Sequence, residues 1–124
     1  MADSIGIDIA DVTRFQRLLD QYGPRLISRI LGSQEREVIA RRHDRAAFLA
    51  GRFAAKEALI KALGKYLANR PAMSSLEVLG DDSGRPTVHL PPSLSTQLAF
   101  LQIEISISHE QSHAVALAVI TEKR

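Results

Sequence analysis

The first apolar residues of the chain alternate. In Ser4-Ile5-Gly6-Ile7-Asp8-Ile9 the isoleucines share one face while Gly6 and Asp8 point the other way, a period of two that predicts a strand over residues 4–9. The period then lengthens: Val12, Phe15, Leu18 and Leu19 recur at helical spacing behind Asp11, a suitable N-cap, and Gly23-Pro24 predicts the stop. A short apolar piece follows at residues 25–31. Ser33 with Glu35 and Glu37 behind it predicts a helix to about His43, and Asp44 a cap for the next and longest helix, ended near Gly64 by a left-handed glycine. Period two returns at residues 76–79 and 87–90, which predict a hairpin turned at Asp81–Pro86 around Gly84. A short helix fits residues 93–101, and strands at 103–108 and 114–121 flank the loop His109-Glu110-Gln111-Ser112-His113. Helices gathered in the first half and strands mainly in the second imply an α+β fold with a small antiparallel sheet, in one domain over residues 1–124, without repeats or linkers.

Composition narrows the chemistry. The hydrophobic fraction of 45% supplies a core for 124 residues, a size at which subunit association helps cover apolar surface. The absence of cysteine removes disulfides and thiolate sites, so carboxylates and histidines are the protein ligands left for a cation, which favours a hard metal over zinc. The formal charge is only +2, and with four Phe, two Tyr and no Trp there is no interleaved aromatic and basic stripe, which argues against nucleic acid as partner. The N-terminus lacks a secretory pattern and no stretch has the length of a membrane span; a soluble cytoplasmic protein is expected.

The long predicted helix contains FLAGRFAAKEALIKAL at residues 48–63, apolar almost all the way round yet carrying Arg52, Lys56, Glu57 and Lys61. On its surface Glu57 neighbours Ala50, Phe53, Ala54, Ile60, Lys61 and Gly64. A carboxylate among apolar groups needs a positive partner. Lys61, four residues on, would make an ordinary solvated pair worth about 0.3–0.5 kcal/mol. The alternative is a bound cation with Asp8 as second ligand, since two carboxylates plus phosphate oxygens and waters suit Mg²⁺.

Three blocks, GIDIADVTRF at 6–15, FLAGRFAAKEALIKAL at 48–63 and SISHEQSHAVALAV at 106–119, resemble those of the holo-acyl-carrier-protein synthases, small bacterial phosphopantetheinyl transferases. The resemblance implies an Mg²⁺-dependent enzyme of fatty acid biosynthesis. Such an enzyme transfers 4′-phosphopantetheine from coenzyme A to a serine of acidic apo acyl carrier protein and releases adenosine 3′,5′-bisphosphate, working as a homotrimer with active sites between subunits. By similarity, Asp8 and Glu57 would hold Mg²⁺ beside the coenzyme pyrophosphate. Glu57, or a water it orients, would take the serine proton, and Lys61 would act on a phosphate oxygen. Arg52 would meet the 3′-phosphate, Gly64 would let backbone approach phosphate, and Gly84, Arg85 and Pro86 would lie on the adenine side, with Ser108 and His109 near the coenzyme. Arg14, Arg25, Leu26 and Arg29 resemble the carrier-docking surface. The chain departs from the family at residues 64–71, where Gly-Lys-Tyr-Leu-Ala-Asn-Arg-Pro replaces a Gly-Thr-Gly loop; Lys65 is the residue expected to compensate with charge.

The blander readings are a solvated Glu57–Lys61 pair, a surface Arg52 with a packed stem, Gly64 as a helix stop and a solvated basic face on the first helix. His109 and His113 in a turn do not make a zinc pair, and no Gly-x-Ser-x-Gly supports a hydrolase. The rival functions are a nucleic-acid-binding module and a trimeric coenzyme-binding protein without transferase activity.

Overall fold

The longest helix organises the chain. In a computed structural model describing residues 1–124, α4 (Arg45–Leu63) lies across one face of a three-stranded antiparallel sheet ordered β1-β5-β4, formed by β1 (Ser4–Asp11), β4 (Leu101–His109) and β5 (His113–Glu122). The other elements are α1 (Val12–Tyr22), α2 (Pro24–Ile30), α3 (Ser33–Ala40), the hairpin β2 (Glu77–Gly80) and β3 (Pro86–His89), and α5 (Pro92–Gln97). One continuous core runs between α4 and the sheet, with α1 to α3 and the hairpin closing its margins.

The pleat sorts the sheet residues. Ser4, Gly6, Asp8 and Ala10 face α4 with Ala114, Ala116, Ala118 and Ile120 of β5, while Ile5, Ile7 and Ile9 of β1 and Val115 and Leu117 of β5 lie outward and exposed. The apolar stripe of β1 is therefore the open face, and its small-residue stripe is the packed one. The cause is the distance of approach: a Cβ on Gly6 would fall 2.0 Å from the Ala58 carbonyl oxygen and 2.9 Å from the Ala62 amide nitrogen. Only glycine fits where strand and helix backbone nearly touch. Ser4 completes the crossing by donating its hydroxyl to the Ala62 carbonyl at 2.6 Å.

The polar residues of the second layer explain the hairpin. Lys56 and Glu35 are fully buried and meet at 2.6 Å, and Lys56 also donates to the Ile30 carbonyl. Glu35 accepts from the Gly32 amide at 2.9 Å and the Val78 amide at 2.8 Å, while Arg52 donates Nε to the Val78 carbonyl at 2.9 Å. The outer edge of β2 is thus satisfied by side chains of α3 and α4 instead of a third strand. Burial pushes the Lys56 ammonium below the ordinary lysine range, against the stabilising pull of Glu35.

Several boundaries depart from the sequence reading. Alpha3 stops at Ala40, short of His43, and is capped in trans by Glu77, which accepts from the Gln34 and Glu35 amides at 2.9 and 3.0 Å. Asp44 stands at the start of α4 but makes no capping bond, because Arg42 holds both its oxygens at 2.7 Å. Gly64 is not left-handed: at φ −49° it carries the chain on into a 3₁₀ turn, Gly64–Tyr66. The hairpin is shifted by one residue, α5 ends at Gln97, and β4 and β5 are longer than expected, leaving only Glu110–Ser112 between them. Asp11 does cap α1, accepting from the Arg14 amide at 3.1 Å, and Gly84 takes φ +86° in its turn.

Lys56→Met, which leaves the Glu35 charge buried without its cation, is expected to cost about 3–5 kcal/mol in urea unfolding. Arg85→Ala, which breaks the exposed pair with Glu104, should cost less than about 1 kcal/mol; equal losses would show that the buried pair carries no special share of the stability.

Candidate active site

Two polar centres lie on the α4 side of the sheet. The first is a cavity of about 240 Å³ lined by Arg42, Ala47, Phe48, Gly51, Arg52, Gly80, Gly84, Pro86, Ile107 and His109. Helix α4 supplies one wall, the hairpin turn another and the end of β4 the third. Arg52 is fixed there by its Nε bond to Val78 and by stacking 4.4 Å from the Phe48 ring centroid, and Arg42 stands over the same ring at 5.0 Å. The Arg52 Nη groups take no protein acceptor, so a planar donor fork remains for an anion. Burial lowers its pKa from the ordinary arginine value, Glu35 opposing and Arg42 reinforcing the shift; the group stays charged.

The second centre holds the acidic residues. Asp8 reaches from β1 to Lys61 at 2.9 Å, and Lys61 Nζ also donates to the Ile7 carbonyl at 3.2 Å. Glu57 does not pair with Lys61, the ordinary helix pair the sequence suggested; its carboxylate is held by Arg70. Each carboxylate offers one oxygen to a protein cation, and the other, Oδ2 of Asp8 and Oε2 of Glu57, takes no hydrogen bond from the protein. The donors are all oxygen, which fits a small hard divalent cation such as Mg²⁺.

The sheet sets the spacing between the centres. Asp8 and Ile107 are both paired with Ala116, so one row of side chains leads from the cavity wall to the Asp8 carboxylate, across two strand spacings or about 10 Å. Along α4, Arg52 and Lys61 are separated by about 14 Å of helix rise. The arrangement suits an extended ligand with an anionic group near each end.

The remaining residues divide by position. Gly84, Pro86 and His109 join Arg52 in the cavity; Arg85 turns outward to Glu104 at 3.1 Å. Ser108 lies on the outward face, opposite Val115, and the pleat separates it from His109. Gly64 borders open space, with nothing within 4 Å of where a Cβ would sit. Lys65 is directed to the Asp3 carbonyl at 3.1 Å, so the cation that the 64–71 segment sends to the acidic centre is Arg70. Arg25, Leu26 and Arg29 share a separate cavity of about 310 Å³ with Leu18 and Tyr22; Arg14 lies outside that cavity, on α1. The sequence reading missed Phe48, although its position four residues before Arg52 predicts a stacked pair. It also missed Arg42 and Arg70, which only the folded chain brings in.

A long helix laid across a small antiparallel sheet, with a basic cavity at one end of the crossing and carboxylates at the other, is an α+β arrangement that recurs in solved proteins. The family profile of the 4′-phosphopantetheinyl transferase superfamily matches residues 4–118, and the chain belongs to that family. Its relatives include the holo-[acyl-carrier-protein] synthases of Alkalilimnicola ehrlichii, 43% identical over 97% of each chain, and of Aromatoleum aromaticum, 41% identical over the whole of both. Among solved structures, the holo-[acyl-carrier-protein] synthase of Neisseria meningitidis matches with TM-score 0.88 and 30% identity over 98% of this chain and 100% of that one. The Bacillus anthracis synthase in complex with CoA (3′,5′-ADP) matches with TM-score 0.79 and 34% identity, over 100% and 99%.

Inorganic pyrophosphate is expected to raise the thermal midpoint of the wild-type protein, more at low salt than at high. Arg52→Met should remove most of that protection while Arg85→Met leaves it intact; identical protection of all three would show that the cavity guanidinium is not the anion site.

Proposed function

We propose that the chain is a holo-acyl-carrier-protein synthase: it transfers 4′-phosphopantetheine from coenzyme A to a serine of apo acyl carrier protein, releasing adenosine 3′,5′-bisphosphate. The observation that carries this reading is the shared row and shared helix by which the Arg52 cavity leads to Asp8, Glu57 and Lys61. A coenzyme nucleotide in that cavity would have its 3′-phosphate at the Arg52 fork and its base against Gly84, Pro86 and His109, and its pyrophosphate would extend toward Lys61 and the backbone at Gly64.

Asp8 and Glu57 are the residues that would hold Mg²⁺. Bound there, Mg²⁺ would neutralise charge building on the pyrophosphate oxygens as the bond to the leaving nucleotide lengthens. Lys61, anchored to the Ile7 carbonyl, presents its ammonium to a phosphate oxygen. Glu57 accepts the serine proton, directly or by orienting a water that does so. The pantetheine phosphate then passes from the nucleotide to the serine oxygen, and positioning supplies most of the rate.

The carrier, an acidic protein, would dock on α1 and α2, where Arg14, Arg25 and Arg29 steer it and Leu26 gives an apolar hold. The outward sheet face supports assembly. Ile5, Ile7 and Ile9 are 60–64% exposed and abut Val115 and Leu117 across β1 and β5, a contiguous apolar surface unusual on a monomer. A homotrimer formed through this face would bury it and bring Ser108, on its margin, to a subunit boundary. The setting is cytoplasmic fatty acid biosynthesis; no helix is long and apolar enough to cross a membrane.

Intact-mass measurement of an apo carrier after incubation with the protein, coenzyme A and Mg²⁺ should show the pantetheine increment. Glu57→Gln, folded by circular dichroism, should lower the initial rate by at least about a hundredfold, as expected for a lost base or metal ligand; no increment with wild type, or wild-type turnover by the variant, contradicts the reading.

Ile7→Asp should convert the assembly to monomers in sedimentation velocity at micromolar concentration. An unchanged sedimentation coefficient would mean that this face is not the interface.

A further inference from the structure

Arg70 lies in the 64–71 segment, and its only hydrogen bond and ion pair are with the Glu57 carboxylate. The neighbouring cation differs: Lys61 binds Asp8 but is also tied to the Ile7 carbonyl, so losing Asp8 would not free it from β1. Arg70 is 58% exposed at its side chain, whereas Glu57 is 21% exposed, so the guanidinium covers the carboxylate from the solvent side. It reaches Glu57 from the segment that follows the Gly64–Tyr66 turn, which is itself braced by Lys65 on the Asp3 carbonyl and by Tyr66 donating to Glu122 at 2.7 Å.

We infer that Arg70 is a positioning residue that acts through Glu57, drawing the charge of the carboxylate toward the solvent edge and competing for it with a divalent ion. This deepens the reading of Asp8 and Glu57 as metal ligands and rests on it. Oε2 of Glu57 is open to an ion while Arg70 holds Oε1, but both cations draw on one negative charge, so each weakens the other's hold. Each carboxylate of the centre has a protein cation of its own, Asp8 with Lys61 and Glu57 with Arg70. With its pull on Glu57 weakened by the ion, the exposed guanidinium of Arg70 is available to an anionic substrate. The consequence is a coupling of opposite signs: Arg70 weakens the ion alone and strengthens the anionic substrate once the ion is bound.

The test is Mn²⁺ binding to the coenzyme-free protein, read by water-proton relaxation, which detects weak complexes. Arg70→Ala should bind Mn²⁺ about three- to fivefold more tightly than wild type, the range an exposed ion pair supports. Arg70→Lys should return toward wild type. Lys65→Ala removes the same charge from the same segment and should leave the affinity unchanged, so equal tightening by both alanine variants would reduce the effect to net charge and overturn the proposal. Unchanged, weaker or undetectable Mn²⁺ binding by Arg70→Ala also overturns it, provided Glu57→Gln loses the binding seen in wild type. If Glu57→Gln binds Mn²⁺ as wild type does, the ligand assignment itself fails and the proposal falls with it. With Mn²⁺ saturating, calorimetry should show Arg70→Ala binding coenzyme A more weakly than wild type; equal or tighter binding removes the second half of the coupling.

Discussion

Everything at the acidic centre depends on how closely β1 crosses α4. The side chain missing from Gly6 lets the strand lie against the helix backbone at Ala58 and Ala62, and alanines at 54, 55, 58 and 62 keep the helix surface low along the crossing. Two residues beyond Gly6 on the same face, Asp8 is thereby delivered to the turn of α4 that carries Glu57 and Lys61. A bulkier residue at 6 would hold the strand off and move the Asp8 carboxylate away from that turn. The same crossing turns the isoleucines outward, so the packing that builds the site also leaves the apolar surface that a neighbouring subunit would cover.

The basic cavity depends on a different constraint. A two-stranded hairpin is marginal alone, and here it is docked by charge: Glu35 takes the Val78 amide, Arg52 takes the Val78 carbonyl, and Lys56 neutralises Glu35 in the dry interior. One strand residue therefore links the buried ion pair to the guanidinium that faces the cavity. The helix whose charges looked misplaced divides them by depth: Lys56 inward for the fold, Arg52 at the cavity, Glu57 and Lys61 at the acidic centre.

Local pattern made the elements legible, and distant partners explain the departures. The Asp11 cap, the Gly23-Pro24 break and the Gly84 turn each depend on residues a few positions apart, and they stand where periodicity and turn chemistry put them. Glu35 reads as a first-turn acid and does stand in the first turn of α3, but its burial against Lys56 needs the tertiary fold. Alpha3 ends at Ala40 and is capped by Glu77 from another element, and Asp44 is drawn away from its helix by Arg42, contacts that no window of sequence displays. The site divides in the same way. The blocks around Asp8, Arg52, Glu57, Lys61 and His109 pointed to the family, whereas the protein cation that holds Glu57 comes from Arg70, because Lys61, at the favourable spacing, is claimed by a strand more than fifty residues away. Ser108 and His109 are neighbours in sequence yet lie on opposite faces, a consequence of the strand running through His109 instead of ending before it.

The most direct test is a crystal structure of the protein with coenzyme A and a divalent ion, with anomalous scattering from Mn²⁺ locating the metal. The account predicts one ion ligated by oxygens of both Asp8 and Glu57 and by the coenzyme pyrophosphate, at about 2.0–2.2 Å each. An ion bound elsewhere, or a pyrophosphate lying away from the two carboxylates, would contradict it.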